Sequence, residues 1–130
     1  MRKPWKLAIV AAVLAALLAA PAFASLSGVR LISFSAVRMK SKTKKPSPKV
    51  IVKWRTGSEP SILGFNLYRV VGTKQTKLGK SPIPSTGAAA GASYSYTDTL
   101  PKTVKLACYS LETVDTAGAK APLANTCMKK

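Results

Sequence analysis

The sequence predicts an all-β domain, two sheets packed as a sandwich, behind a cleavable amino-terminal signal helix. Three observations carry that expectation. Apolar residues recur at every second position in several short runs, the period of a strand with one buried face. Turn-forming residues interrupt these runs every 8 to 15 residues. Beyond residue 24 no stretch repeats with the period of a helix.

The leader comes first. Arg2, Lys3 and Lys6 precede an apolar run from Leu7 to Ala20, which Pro21 and the small-residue site Ala22-Phe23-Ala24 close. That tripartite pattern is a secretory signal peptide cleaved after Ala24, and its run falls short of the roughly 20 apolar residues a membrane span needs. The expected organisation is a signal peptide, 1–24, and one domain, 25–130. An exported protein, periplasmic, extracellular or at the cell surface, follows. Contact with the membrane is expected only through the leader before cleavage.

Val29 to Arg38 reads as a first strand whose inward parity changes between Leu31 and Phe34, the mark of a bulge or a bend. Met39 to Pro48 is polar and contains prolines, so a loop is expected there. Val50, Val52 and Trp54 alternate with Ile51, Lys53 and Arg55 in a second strand. A polar turn from Thr56 to Pro60 leads to a third, Gly64 to Val71, in which Phe65 and Leu67 resume the apolar face. Trp54 facing Phe65 and Leu67 is the expected centre of the core. Gly72 and Thr73 turn into a short edge strand around Thr76 to Leu78. Ser81 to Ser93, with its prolines, glycines and alanine triplet, reads as irregular. Tyr94, Tyr96 and Asp98 mark a fifth strand, Lys105 to Val114 a sixth and Ala121 to Cys127 a seventh. Asp115 to Lys120, with Gly118, is the hairpin turn between the last two.

Two cysteines, Cys108 and Cys127, are centred on Ala117 and Gly118, the tip of that hairpin. Residues equidistant from a tip stand opposite one another, with Cβ atoms about 4.5 to 5.5 Å apart, near bonding range. An oxidising compartment then makes a Cys108–Cys127 disulfide the expected state.

Taken in order, LISFSAVR, VIVKWRTGSE, GFNLYRV, SYSYTDTLP and YSLETVDTAG resemble a fibronectin type III-like domain of bacterial secreted and cell-surface proteins. The matching positions are Ser33, Phe34 and Ala36; Trp54, Thr56 and Glu59; Gly64, Phe65, Leu67 and Arg69. They continue with Tyr94, Tyr96 and Asp98, then Leu111, Glu112, Val114 and Asp115. The resemblance implies a seven-stranded, immunoglobulin-like sandwich that binds or spaces and does not catalyse.

Residue chemistry points the same way. The sequence has no His and four acids, which removes the commonest general base and metal ligand. Glu59 and Glu112 are the one carboxylate pair with a conceivable glycosidase role. Ser58, Ser61 and Ser110 lack a base partner. No acid cluster suits calcium, and no cofactor is expected. Charge is the stronger signal. Without the leader, 18 Lys and Arg remain against the four acids, a net charge of +14. Such a surplus attracts polyanions. The densest stretch is Arg38, Lys40, Lys42, Lys44, Lys45 and Lys49, six cations with no acid among them. These form the candidate anion-binding site, either as a proline-restrained loop or as a strand extension with its lysines on one face. Expected partners are an unidentified protein or an anionic envelope polymer. Nucleic acid is disfavoured, because no aromatics alternate with the lysines as stacking platforms. The alternative function is a structural subunit of a cell-surface assembly.

Overall fold

The computed structural model describes residues 28–44 and 47–129. The expected leader and its cleavage site lie outside the described residues, as do Lys45 and Pro46. Two sheets make up the described chain, with no helix among the described residues. β1 (Arg30–Arg38), β2 (Lys49–Ser58) and β5 (Ser93–Thr99) form one sheet in the order β1-β2-β5. β3 (Ile62–Val71), β4 (Lys74–Pro84), β6 (Cys108–Asp115) and β7 (Lys120–Cys127) form the other, in the order β4-β3-β6-β7. Each ladder within the two sheets is antiparallel.

The alternation in β2 drives the packing. Val50, Val52, Trp54 and Thr56 turn inward and are buried, while Lys49, Lys53 and Arg55 are exposed. Across the interior lie Phe65 and Leu67 of β3 and Tyr109 and Leu111 of β6, all four fully buried. Trp54 meets Phe65 edge-on, with ring centroids 5.8 Å apart, and stacks on its cross-strand neighbour Tyr94 at 5.1 Å. Burying each large apolar side chain of this kind contributes about 1.5 to 3 kcal/mol.

Several boundaries differ from the sequence reading. β2 and β3 belong to opposite sheets, so Trp54 faces Phe65 across the interior as the sequence leads one to expect. The turn lies later than expected: Thr56 to Ser58 remain in β2, and Pro60 with Ser61 (φ 56°) makes the crossing. β4 runs to Pro84, through residues that read as irregular. Its prolines are tolerated because β4 is an edge strand, and its register shifts between the Leu67–Leu78 and Phe65–Ile83 pairs. β6 begins at Cys108, three residues after the expected start. The bulge expected in β1 is present, between Leu31 and Ser33, and it leaves Ile32 on the outside.

The last described residues close the molecule. Arg38 N–H donates to the Lys129 carbonyl at 3.1 Å, and Lys129 N–H donates to the Ala36 carbonyl at 3.0 Å. This parallel bridge ties the chain beyond β7 to the free edge of β1. Just before it, Cys108 and Cys127 stand opposite each other in the β6–β7 ladder and are disulfide-bonded, as the hairpin centre predicts.

Candidate functional site

The four carboxylates come first, because their positions decide where the cations are left. Glu59 is 1% exposed and is held by neutral donors from three parts of the chain. Thr56 Oγ1 donates to it at 2.5 Å, Gly87 N–H at 3.0 Å and Tyr94 OH at 2.6 Å; Ser85 Oγ completes the set. Burial pushes its pKa up, but these hydrogen bonds outweigh burial and hold it below the ordinary glutamate range. Glu59 thereby gathers β2, β5 and the stretch from Ser85 to Gly87 after β4 into one network.

Asp98 lies on β5, facing the opposite sheet. Arg69 of β3 pairs with it at 2.7 Å and Tyr109 OH of β6 donates to its other oxygen at 2.8 Å. Burial, together with the neighbouring Asp98 carboxylate, raises the Tyr109 pKa well above the usual phenol value. This triad joins the two sheets through their interior. Glu112 accepts from Asn66 Nδ2 at 2.8 Å and from Tyr68 OH at 3.2 Å. Asp115 accepts from the amides of Ala117 and Ala119 in the β6–β7 turn. The conceivable Glu59 and Glu112 pair is not brought together: each has its own donors, and the two sets share no residue. Among the described residues, no three His, Cys, Asp or Glu side chains converge to hold a metal.

With all four acids engaged internally, Arg69–Asp98 is the one ion pair among the described residues. The basic segment follows β1 as a loop. β1 ends at Arg38, and the Met39 amide donates to the Lys49 carbonyl at 2.8 Å, which pinches the loop at its base. The strand extension with lysines on one face is therefore not formed. Ser41 and Thr43 hydrogen-bond within the loop, and buried Pro48 anchors its return through a bond from the Leu100 amide at 2.8 Å. Arg38, Lys40, Lys42, Lys44 and Lys49 are all exposed. Arg38, Lys40, Lys42 and Lys49 line a cleft of about 620 Å³ together with Met39, Ser41, Thr43, Ser47 and Pro48. Lys45, the sixth cation of the candidate site, lies outside the described residues.

The sequence reading missed the cations beside this cleft. A second groove, of about 280 Å³, shares Arg38 and Met39 with it and continues over Ser35, Val37, Ile51 and Lys53. It leads onto the outer face of the β1-β2-β5 sheet, where Arg55 and Arg30 follow. The signal was present in the alternation of β2, which places Lys53 and Arg55 opposite the buried positions. No protein-family model, curated protein or solved structure matches the chain.

Proposed function

We propose that this chain is an exported, non-enzymatic binding module of the fibronectin type III-like kind, which holds anionic envelope polymers through residues 38–49. The observation that carries the reading is the division of charge. Every carboxylate is engaged in internal hydrogen bonds, whereas Arg38, Lys40, Lys42 and Lys49 surround an open cleft. Polyanions are the partners such a surface attracts. The fold reading rests on the ordered motifs together with the strand order. That order departs from an immunoglobulin constant domain in one respect, the fourth strand pairing with the third instead of the fifth. The Cys108–Cys127 bond suits an oxidising compartment outside the cytoplasm. Glu59 and Glu112 are engaged by separate sets of donors, so the one carboxylate pair with a conceivable glycosidase role is not assembled.

The test replaces Lys40, Lys42 and Lys44 with Gln and compares retention on isolated envelope at about 0.1 M and about 1 M salt, where the Debye length falls from roughly 10 to 3 Å. Wild type is expected to bind at low salt and elute at high salt, with the variant weakened at low salt. Equal, salt-independent retention of both proteins excludes the loop as the site.

A further inference from the structure

The outer face of the β1-β2-β5 sheet has a regular chemistry that the loop alone does not explain. The ladder registers place Ser33, Arg55 and Ser93 in one row across the sheet, and Ser35, Lys53 and Ser95 in the next. Val37, Ile51 and Thr97 follow, and Lys49 beside Thr99 ends the series at the mouth of the loop cleft. Arg55 and Lys53 of the central strand are therefore flanked by serines on both sides, and Lys49 by Thr99 on one. All of these residues are exposed except Ile51, which is half-buried. Arg30 and Ile32 extend the track at its far end, their side chains lying over Gly57. None of the four carboxylates is on this face: Glu59 and Asp98 point inward, and Glu112 and Asp115 belong to the other sheet.

Resting on the reading of the loop as an anion site, we propose that this face and the loop cleft together form one track for a linear phosphodiester polymer of the poly(glycerol phosphate) kind, lying along β2. Alternate residues on a strand are about 7 Å apart, so Lys53 and Arg55 meet successive charges of an extended chain and Lys49 one farther along. The flanking serines and threonines donate to the remaining phosphate oxygens. Val37, Met39 and Ile51 line the groove between the cations, where the carbon segments of such a chain would lie. Aromatic platforms are missing from the face, because Trp54, Tyr94 and Tyr96 all turn inward. Sugar rings and nucleobases would find nothing to stack on, which favours a polymer gripped through its phosphates alone. The groove is concave and the loop residues are polar, so a planar bilayer fits the track poorly.

The experiment measures binding of the purified protein to synthetic poly(glycerol phosphate) over a range of salt. Oligothymidylate, hyaluronate and phosphatidylglycerol vesicles serve as comparison probes. Three variants are compared: K53Q/R55Q on the face, K40Q/K42Q/K44Q on the loop, and K74Q/K77Q, a charge-matched control on β4. K53Q/R55Q is expected to lose about tenfold in affinity at low salt and to lower the slope of log K against log salt by about 1.4, at roughly 0.7 per phosphate contact. The control is expected to bind as wild type does. If K53Q/R55Q binds normally while the loop variant fails, the track is overturned and the loop reading stands. If neither variant changes binding, both are overturned. A control that loses as much as K53Q/R55Q makes the attraction diffuse and overturns the track. So does equal or tighter binding of oligothymidylate, hyaluronate or vesicles through the same residues, which would assign the face to nucleic acid, acidic glycan or membrane. Unchanged thermal melting of all three variants keeps a folding defect out of the comparison.

Discussion

Glu59 carries its charge inside the protein on neutral donors alone, and that makes its contribution pH-dependent in a defined direction. Its folded pKa lies below the ordinary value near 4.3, so the stabilisation is complete above that value. It is lost as pH falls through the ordinary range and on through the lowered folded pKa. Glu59→Gln substitutes an amide that must face hydroxyl donors with an N–H, and a loss of roughly 2 to 3 kcal/mol at pH 7 is expected. Urea denaturation at pH 7 and pH 3 checks this: the gap to wild type should narrow at pH 3, and a gap that ignores pH removes the charge from the account. Glycines give a sharper contrast. Gly91 (φ 74°) and Gly118 (φ 83°) both occupy left-handed backbone. A Cβ at Gly118 meets nothing, whereas one at Gly91 would collide with the Thr56 carbonyl. Gly118→Ala should therefore cost about 1 to 2 kcal/mol from backbone strain alone. Gly91→Ala adds the collision and should cost roughly 2 to 4 kcal/mol. Equal melting temperatures for the two variants would contradict the difference. Neither the Glu59 network nor the Gly91 contact was legible in the sequence. Ser85, Gly87 and Tyr94 lie 26 to 35 residues from Glu59, and no local pattern links them.

Among the elements, the β6–β7 hairpin was the most legible, because Asp115, Gly118 and two equidistant cysteines fix its centre. Reducing the disulfide should remove about 3 kcal/mol, on the loop-entropy estimate for 19 residue steps. The expected damage is local. Amide exchange should rise in β7 and at Arg38 and Lys129, while the amides of Val52 and Trp54 stay protected; uniform loss of protection would instead make the hairpin essential to the core. β2 was legible on its inner face because Val50, Val52 and Trp54 alternate cleanly. β4 was legible only in part: Thr76 to Leu78 read as a short edge strand, but its extension to Pro84 did not, because Pro82 and Pro84 carry the composition of a loop. Proline is compatible with a strand whose unused edge faces solvent. The β2–β3 connection was legible except for its position: Trp54 was expected to face Phe65 and Leu67, but the turn falls at Pro60 and Ser61, after Thr56 to Ser58 have continued β2.

Among the described residues the division is simple: every acid is engaged in internal hydrogen bonds, and Arg69 is the one cation paired with an acid. The sequence gives the excess of cations at once, and the loop of 38–49 stands out by its spacing. The track beside it became visible only when the β1, β2 and β5 registers aligned Ser33, Arg55 and Ser93, residues distant in the chain. The parallel bridge at Lys129 has a mechanical consequence as well. Val29 enters at one end of β1, and Lys129 is bonded beside Arg38 at the other. Tension applied between Val29 and Lys129 consequently pulls along β1, and the two bonds of that bridge share the load in shear instead of opening one after the other. Once they yield, the disulfide withholds the 19 steps between its cysteines from extension. Single-molecule stretching should then give an oxidised chain about 60 Å shorter than the reduced one, at roughly 3.4 Å per residue step less the 3.8 Å between the two Cα atoms. Equal lengths would mean that the crosslink does not hold under force.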